Sequence, residues 1–173
     1  MIISIEDLKK RVNCGDVTDD VITAKLEAIE AVIRAFTNNN FQQRAIRFEG
    51  RSEEYNLYGS PRYFTVGDTV QISASGVNDG LYVVTAVDDD HLEVDHVLMD
   101  AEYNLITKIK YPADVIQCAV DLFTWKQSMG NKVGIKSETI SRHSVTYEDG
   151  TTLFMGYPMA ILNGLKLHKK VRC

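Results

Sequence analysis

Apolar and polar positions alternate with two different periods along this chain, and the change of period divides it. From Thr18 onward, Ile22, Leu26, Ile29, Ile33 and Phe36 recur every three or four residues. That spacing predicts a helix with one apolar stripe. Val21, Ala28, Val32 and Ala35 are expected to widen the stripe. Thr18-Asp19-Asp20 places a cap and acidic groups at the positive end of the helix dipole. Asn38-Asn39-Asn40 is expected to end the helix. Before it, Ser4 and Asp7 form a capping-box arrangement for a short first helix, which stops near Asn13-Cys14-Gly15.

At Phe41 the period becomes two, with turn signals every 8–12 residues through Lys110. Ile46 and Phe48 alternate with charged residues, and Val70 and Ile72 with polar ones. Asn78-Asp79-Gly80 predicts a hairpin turn. Leu81 to Val87 is almost wholly apolar, which predicts a central strand covered on both faces. Asp88-Asp89-Asp90 is expected as a second turn, followed by strands around Leu92 and Val94 and from Leu105 to Tyr111. Five or six short strands in this space suit a small barrel. The run Phe64 to Val70, followed by Asn78 to Val84, resembles an SH3-like β-barrel.

Helical period returns at Pro112, a residue tolerated at the first helical position. Val115, Ile116, Ala119, Val120, Leu122 and Phe123 form a second wide stripe, with Gly130 as the expected C-cap. Trp125 lies off that stripe, and core packing is its expected role. Residues 131–137 are loop-like. Thr139 to Glu148 alternates and is expected to be extended, with a turn at Glu148-Asp149-Gly150. Pro158 opens a short helix carrying Ile161, Leu162 and Leu165. The expected fold class is therefore α+β. A small helical bundle (1–40 and 111–173) carries an all-β SH3-like barrel (41–110) inserted between helices two and three.

Charge sharpens this division. The 173-residue chain carries a net −5, which argues against a general nucleic-acid binder. Residues 41–110 hold six Lys/Arg against twelve Asp/Glu, whereas 111–173 hold eight against five. The N-terminus lacks a basic region and a long apolar core, so no signal peptide is expected. No apolar run is long enough to span a bilayer. Cys14, Cys118 and Cys173 show no metal spacing and suit a reduced cytosolic setting. His91, His96, His143 and His168 show none either. The aspartate triplet lacks the spacing of a calcium loop. Ser141 and Ser144 flank His143 without a nucleophile elbow, and Glu53-Glu54 is expected in a polar loop. No enzymatic activity, catalytic residue, metal or cofactor is expected.

One segment is more specific than the rest. Lys136-Ser137-Glu138-Thr139-Ile140-Ser141-Arg142-His143-Ser144-Val145-Thr146-Tyr147 follows a helix that opens Tyr111-Pro112-Ala113-Asp114-Val115. Together they resemble the head–tail connector (adaptor) proteins of tailed bacteriophages, over residues 1–40 and 111–173, about 60% of the chain. The β module between them departs from compact family members. The resemblance implies a non-enzymatic virion protein, assembled in the host bacterial cytoplasm. It implies a ring of about twelve copies beneath the portal protein, a heterologous assembly that closes on itself and can be monomeric in solution. DNA would pass through the channel without sequence-specific binding, and a stopper or tail protein would dock below. Lys136, Ser137, Arg142, Tyr147, Lys166, Lys169, Lys170 and Arg172 are the expected contacts with the portal or a neighbouring subunit. The alternatives are another virion joint, such as a head-closure stopper or tail-end protein, or a β-barrel binding module.

Overall fold

A computed structural model of the chain describes residues 1–129, 137–140, 143–146 and 153–171. It is a mixed α+β protein, with four α-helices among the described residues and an antiparallel sheet. The chain forms two compact units: Met1 with Asn40–Tyr111, and Ile2–Asn39 with Pro112–Cys173.

In the helical unit, α1 (Ile5–Arg11) is capped by Ser4, whose hydroxyl accepts the Asp7 N–H at 3.1 Å. α2 (Asp19–Thr37) follows, and α3 (Ala113–Met129) packs against it. The five-residue stripe of α2 is buried throughout, as are Val115, Ala119, Val120, Leu122 and Phe123 of α3. The widening of the α2 stripe differs from expectation. Val32 is buried, but Ala28 and Ala35 face solvent and Val21 is 46% exposed. The stripe broadens instead through Glu30 and Thr37. The Thr37 hydroxyl donates to the Ile33 carbonyl at 2.7 Å, and Glu30 pairs with Arg34 at 3.9 Å. Hydrogen-bonded and paired polar groups can enter a core where unpaired ones cannot.

The sheet unit has four strands: β1 (Gln42–Tyr58), β2 (Thr69–Ser73), β3 (Gly80–Val87) and β4 (His91–Ile109). They lie in the order β1-β4-β2-β3, with β3 also pairing to β4. The expected five- or six-stranded SH3-like barrel is corrected to a four-stranded antiparallel sheet. One pair of expected short strands is fused into a long one, and another expected strand runs on through an expected loop. The stretches expected as separate strands around Leu92 and from Leu105 belong to one strand, β4. Glu53 and Glu54, expected in a loop, belong to β1, where Glu54 takes φ 52° at a register shift. β1 pairs along one side only, to β4, and is an edge of the sheet. The central strand is β4 rather than β3, whose side chains are mostly half-buried around the buried Val84.

β1 is sharply bent. A Cβ on Gly50 would lie 1.7 Å from the Tyr58 carbonyl oxygen, eight residues along the same strand. The Arg51 guanidinium stacks over the Tyr58 ring at 4.2 Å, which marks the same fold-back. The bend brings Phe48 and Leu57 into one core with Phe64, Ile72, Leu92 and Ile106.

The aspartate triplet does form the β3–β4 turn, and His91 clamps it. The imidazole Nδ1 lies 2.8 Å from Asp90 and Nε2 3.4 Å from Asp88. The hydrogen bond with Asp90 raises the imidazole pKa, against partial desolvation, and depresses that of Asp90. A folded value above the ordinary imidazole value of about 6.5 means the clamp stabilises fully below that pH. Its contribution fades as pH rises through the raised folded value. His91→Gln is expected to lower the unfolding free energy from urea titration at pH 5.5, by less than about 1 kcal/mol. The difference should shrink by pH 9, and an equal difference at both pH values would contradict the clamp.

Candidate functional site: the C-terminal segment and its seat

β5 (Ser137–Ile140) and β6 (His143–Thr146) form a two-stranded antiparallel hairpin in register Ser137↔Thr146 to Ile140↔His143. Among the described residues no other strand joins it. Within the expected extended segment, the described residues form two short antiparallel strands. Ser137 begins β5. Lys136, Arg142, Tyr147 and Arg172 lie outside the described residues, as do the expected C-cap at Gly130 and the turn at 148–150.

After β7 (Leu153–Phe154) and β8 (Tyr157–Pro158), the chain enters α4 (Met159–Leu162), whose N-cap is Pro158. A 3-10 turn, Asn163–His168, continues it and ends in extended backbone at Lys169. Leu162 and Leu165 are buried and hold this end to the helical core. Trp125 packs within the helical unit, its ring 6.2 Å from that of Tyr157, while Lys126 lies over the same ring at 5.5 Å.

The following residues are not a free tail. They are tied across the C-terminal end of α2. The Lys170 N–H donates to the Thr37 carbonyl at 2.8 Å. Asn38 Nδ2 donates to the Lys170 carbonyl and Asn39 Nδ2 to the His168 carbonyl, each at 3.1 Å. Lys169 Nζ sits 3.9 Å above the Phe36 ring, within cation–π range. His168 Nε2 lies 2.6 Å from Asp114 Oδ2, and that hydrogen bond holds the Asp114 carboxyl below its ordinary pKa. The asparagine triplet thus does two jobs. Asn38 ends α2 in the left-handed region at φ 48°, a conformation asparagine tolerates. The Asn38 and Asn39 side chains then supply donors to a passing strap.

This geometry separates the predicted cations. Lys169 turns back onto its own unit. Lys166 and Lys170 keep exposed side chains with no ion pair among the described residues. Between and beyond them, Leu167 is 94% and Val171 88% exposed. The strap therefore presents two cations and two aliphatic side chains outward. Reasoning from the sequence located the cations but missed their seat. Its only signal was three consecutive side-chain amides at a helix end.

Asn39→Ala removes one strap donor and is expected to cost about 1 kcal/mol. Faster hydrogen exchange at the Lys170 amide, with little change in the α2 core, would show it. Unchanged protection at Lys170 would place the strap's hold elsewhere.

Cys118 is buried on α3, and burial pushes its thiol up to about 12. It stays protonated at neutral pH and is not a nucleophile. Among the described residues no group of His, Cys, Asp and Glu could hold a metal ion, and no helix is long and apolar enough to cross a membrane. No protein-family model matches the chain, and no curated protein matches it in sequence.

Proposed function

We propose that the chain is a head–tail connector (adaptor) of a tailed bacteriophage. In this reading it assembles as a ring under the portal and joins the DNA-filled head to the stopper or tail. Its role is structural and localised to the virion, with no reaction of its own. The observation that carries this is the segment Lys136–Tyr147, the most specific part of the resemblance. Its described residues form the β5–β6 hairpin, which no other strand among the described residues joins. A lone two-stranded hairpin is at best marginally stable in water. Docking on a neighbouring subunit or on the portal would stabilise it, as expected of an assembly element. The strap supports the same reading, since its outward cations and aliphatic side chains suit a protein partner.

The test is head completion with a chain ending at Leu165. That truncation keeps the buried Leu162 and Leu165 and removes the strap. The expected result is a loss of at least tenfold in completed, tail-bearing particles, with an unchanged midpoint for the sheet unit. Completion at full yield would remove the strap from any role in joining.

A further inference from the structure

The sheet unit carries a surface feature that its fold does not need. A groove of about 240 Å³ opens between β1 and β4, lined by Arg51, Ser52, Glu53, Asp100, Ala101 and Glu102. Its charge is one-sided. Arg51 is already engaged, bonded to Glu53 at 3.1 Å and stacked on Tyr58. Asp100 and Glu102 are exposed and have no ion pair among the described residues. On the same strand β4, Val97 and Met99 are each 65% exposed. An anionic groove beside two exposed apolar side chains calls for a cationic, partly apolar occupant.

The chain itself contains such an occupant. Residues 166–172 hold four cationic side chains, Lys166, Lys169, Lys170 and Arg172, and no acid. The strap displays Lys166 and Lys170 alongside exposed Leu167 and Val171. We propose that the acidic groove of one copy receives the C-terminal strap of a second copy. Asp100 and Glu102 face Lys166 and Lys170, while Val97 and Met99 cover Leu167 and Val171. Groove and strap are different patches, so each copy can give one and receive one at once. That is a heterologous contact, which propagates head to tail and closes a ring when the rotation permits. The proposal deepens the ring reading above, but its test needs no portal, so either can fail alone.

The test is self-association of the full chain by sedimentation equilibrium. At about 50 mM salt the wild type should associate, and about 500 mM salt should weaken this at least tenfold by shortening the screening length. Asp100→Lys with Glu102→Lys should weaken association at least tenfold, and so should Lys166→Glu with Lys170→Glu. The four changes combined in one chain should restore it. A mixture of the two double variants should associate where neither does alone, because the unchanged groove of one meets the unchanged strap of the other and the two reversed patches match as well. All four positions are exposed, so melting midpoints should stay constant. A wild type that remains monomeric to about 1 mM, variants that associate like the wild type, or a combined variant that does not recover would each overturn the proposal.

Discussion

Replacing Gly50 by alanine is expected to unfold the sheet unit. The added Cβ would lie 1.7 Å from the Tyr58 carbonyl oxygen and 2.9 Å from its carbon. Both obstacles are backbone, so no rotamer change relieves them. The methyl group fits only if β1 opens at its bend. That would draw Phe48 and Leu57 apart and break the core they share with Ile72, Leu92 and Ile106. Overpacking of a well-ordered site costs about 1–3 kcal/mol when side chains can shift. Here the backbone must move, so the expected cost is about 4 kcal/mol or more, the tail of the range for single substitutions. A small unit of ordinary stability would not survive that loss. Gly164→Ala is the control. A Cβ there meets nothing within 4 Å, and the expected change is neutral to slightly stabilising, by up to about 1 kcal/mol. Urea unfolding followed by tyrosine fluorescence would distinguish them. A Gly50→Ala protein with a wild-type midpoint would contradict the bent strand.

The second large effect is expected at Asn78. The residue sits in the β2–β3 turn, but its side chain is buried and repairs an irregularity elsewhere. β1 and β4 slip in register between Gly50 and Ser52 and again between Ser52 and Glu54. These shifts withdraw the Met99 backbone from its place in the ladder. The Asn78 amide takes that place. Its Oδ1 accepts the Met99 N–H at 2.8 Å, and its Nδ2 donates to the Met99 carbonyl at 2.8 Å. The same Nδ2 donates to Ser52 Oγ at 2.9 Å, and Ser52 Oγ donates to the Met99 carbonyl at 2.8 Å. Asn104, fully buried, donates to the Gly50 carbonyl at 3.1 Å. No buried side-chain nitrogen or oxygen among the described residues lacks a partner. Removing the amide therefore strands several buried groups at once. Asn78→Leu is expected to cost about 3 kcal/mol, from unsatisfied desolvated groups each worth about 1–3 kcal/mol. Asn78→Asp should be no better, because a carboxylate would confront the Met99 carbonyl where the amide now donates. Chemical denaturation of both variants at pH 7 measures this. A loss below about 0.5 kcal/mol for either would show that water replaces the amide and that the network is not structural.

These two positions show where sequence reasoning stopped. The helices were legible because burial on one face imposes a period, and Ile22 to Phe36 kept it throughout. The turn at Asp88–Asp90 was legible from composition alone. Gly50 and Asn78 carry no such signature. Gly50 lies in a stretch of charged residues without turn chemistry, and its need comes from a carbonyl eight residues away that only the bent strand brings near. Asn78 belongs to a strong turn tripeptide, which accounted for it fully at the level of local sequence. Its partners, Ser52, Met99 and Asn104, are set by strand register. The long strands were also hidden. Glu53-Glu54 and Asp95-His96 interrupt any alternation, because register shifts there relieve the strands of a strict inside–outside pattern. The strap was visible as a cluster of cations, but its seat depended on how α2 ends.

The claim that most depends on measurement is the assembly itself. Light scattering of the purified protein, mixed with its cognate portal over a range of concentrations, tests it most directly. The account predicts a complex of fixed stoichiometry, with about one copy per portal subunit in a closed ring, that the chain ending at Leu165 fails to form. A protein whose mass is unchanged by the portal at every concentration would contradict it.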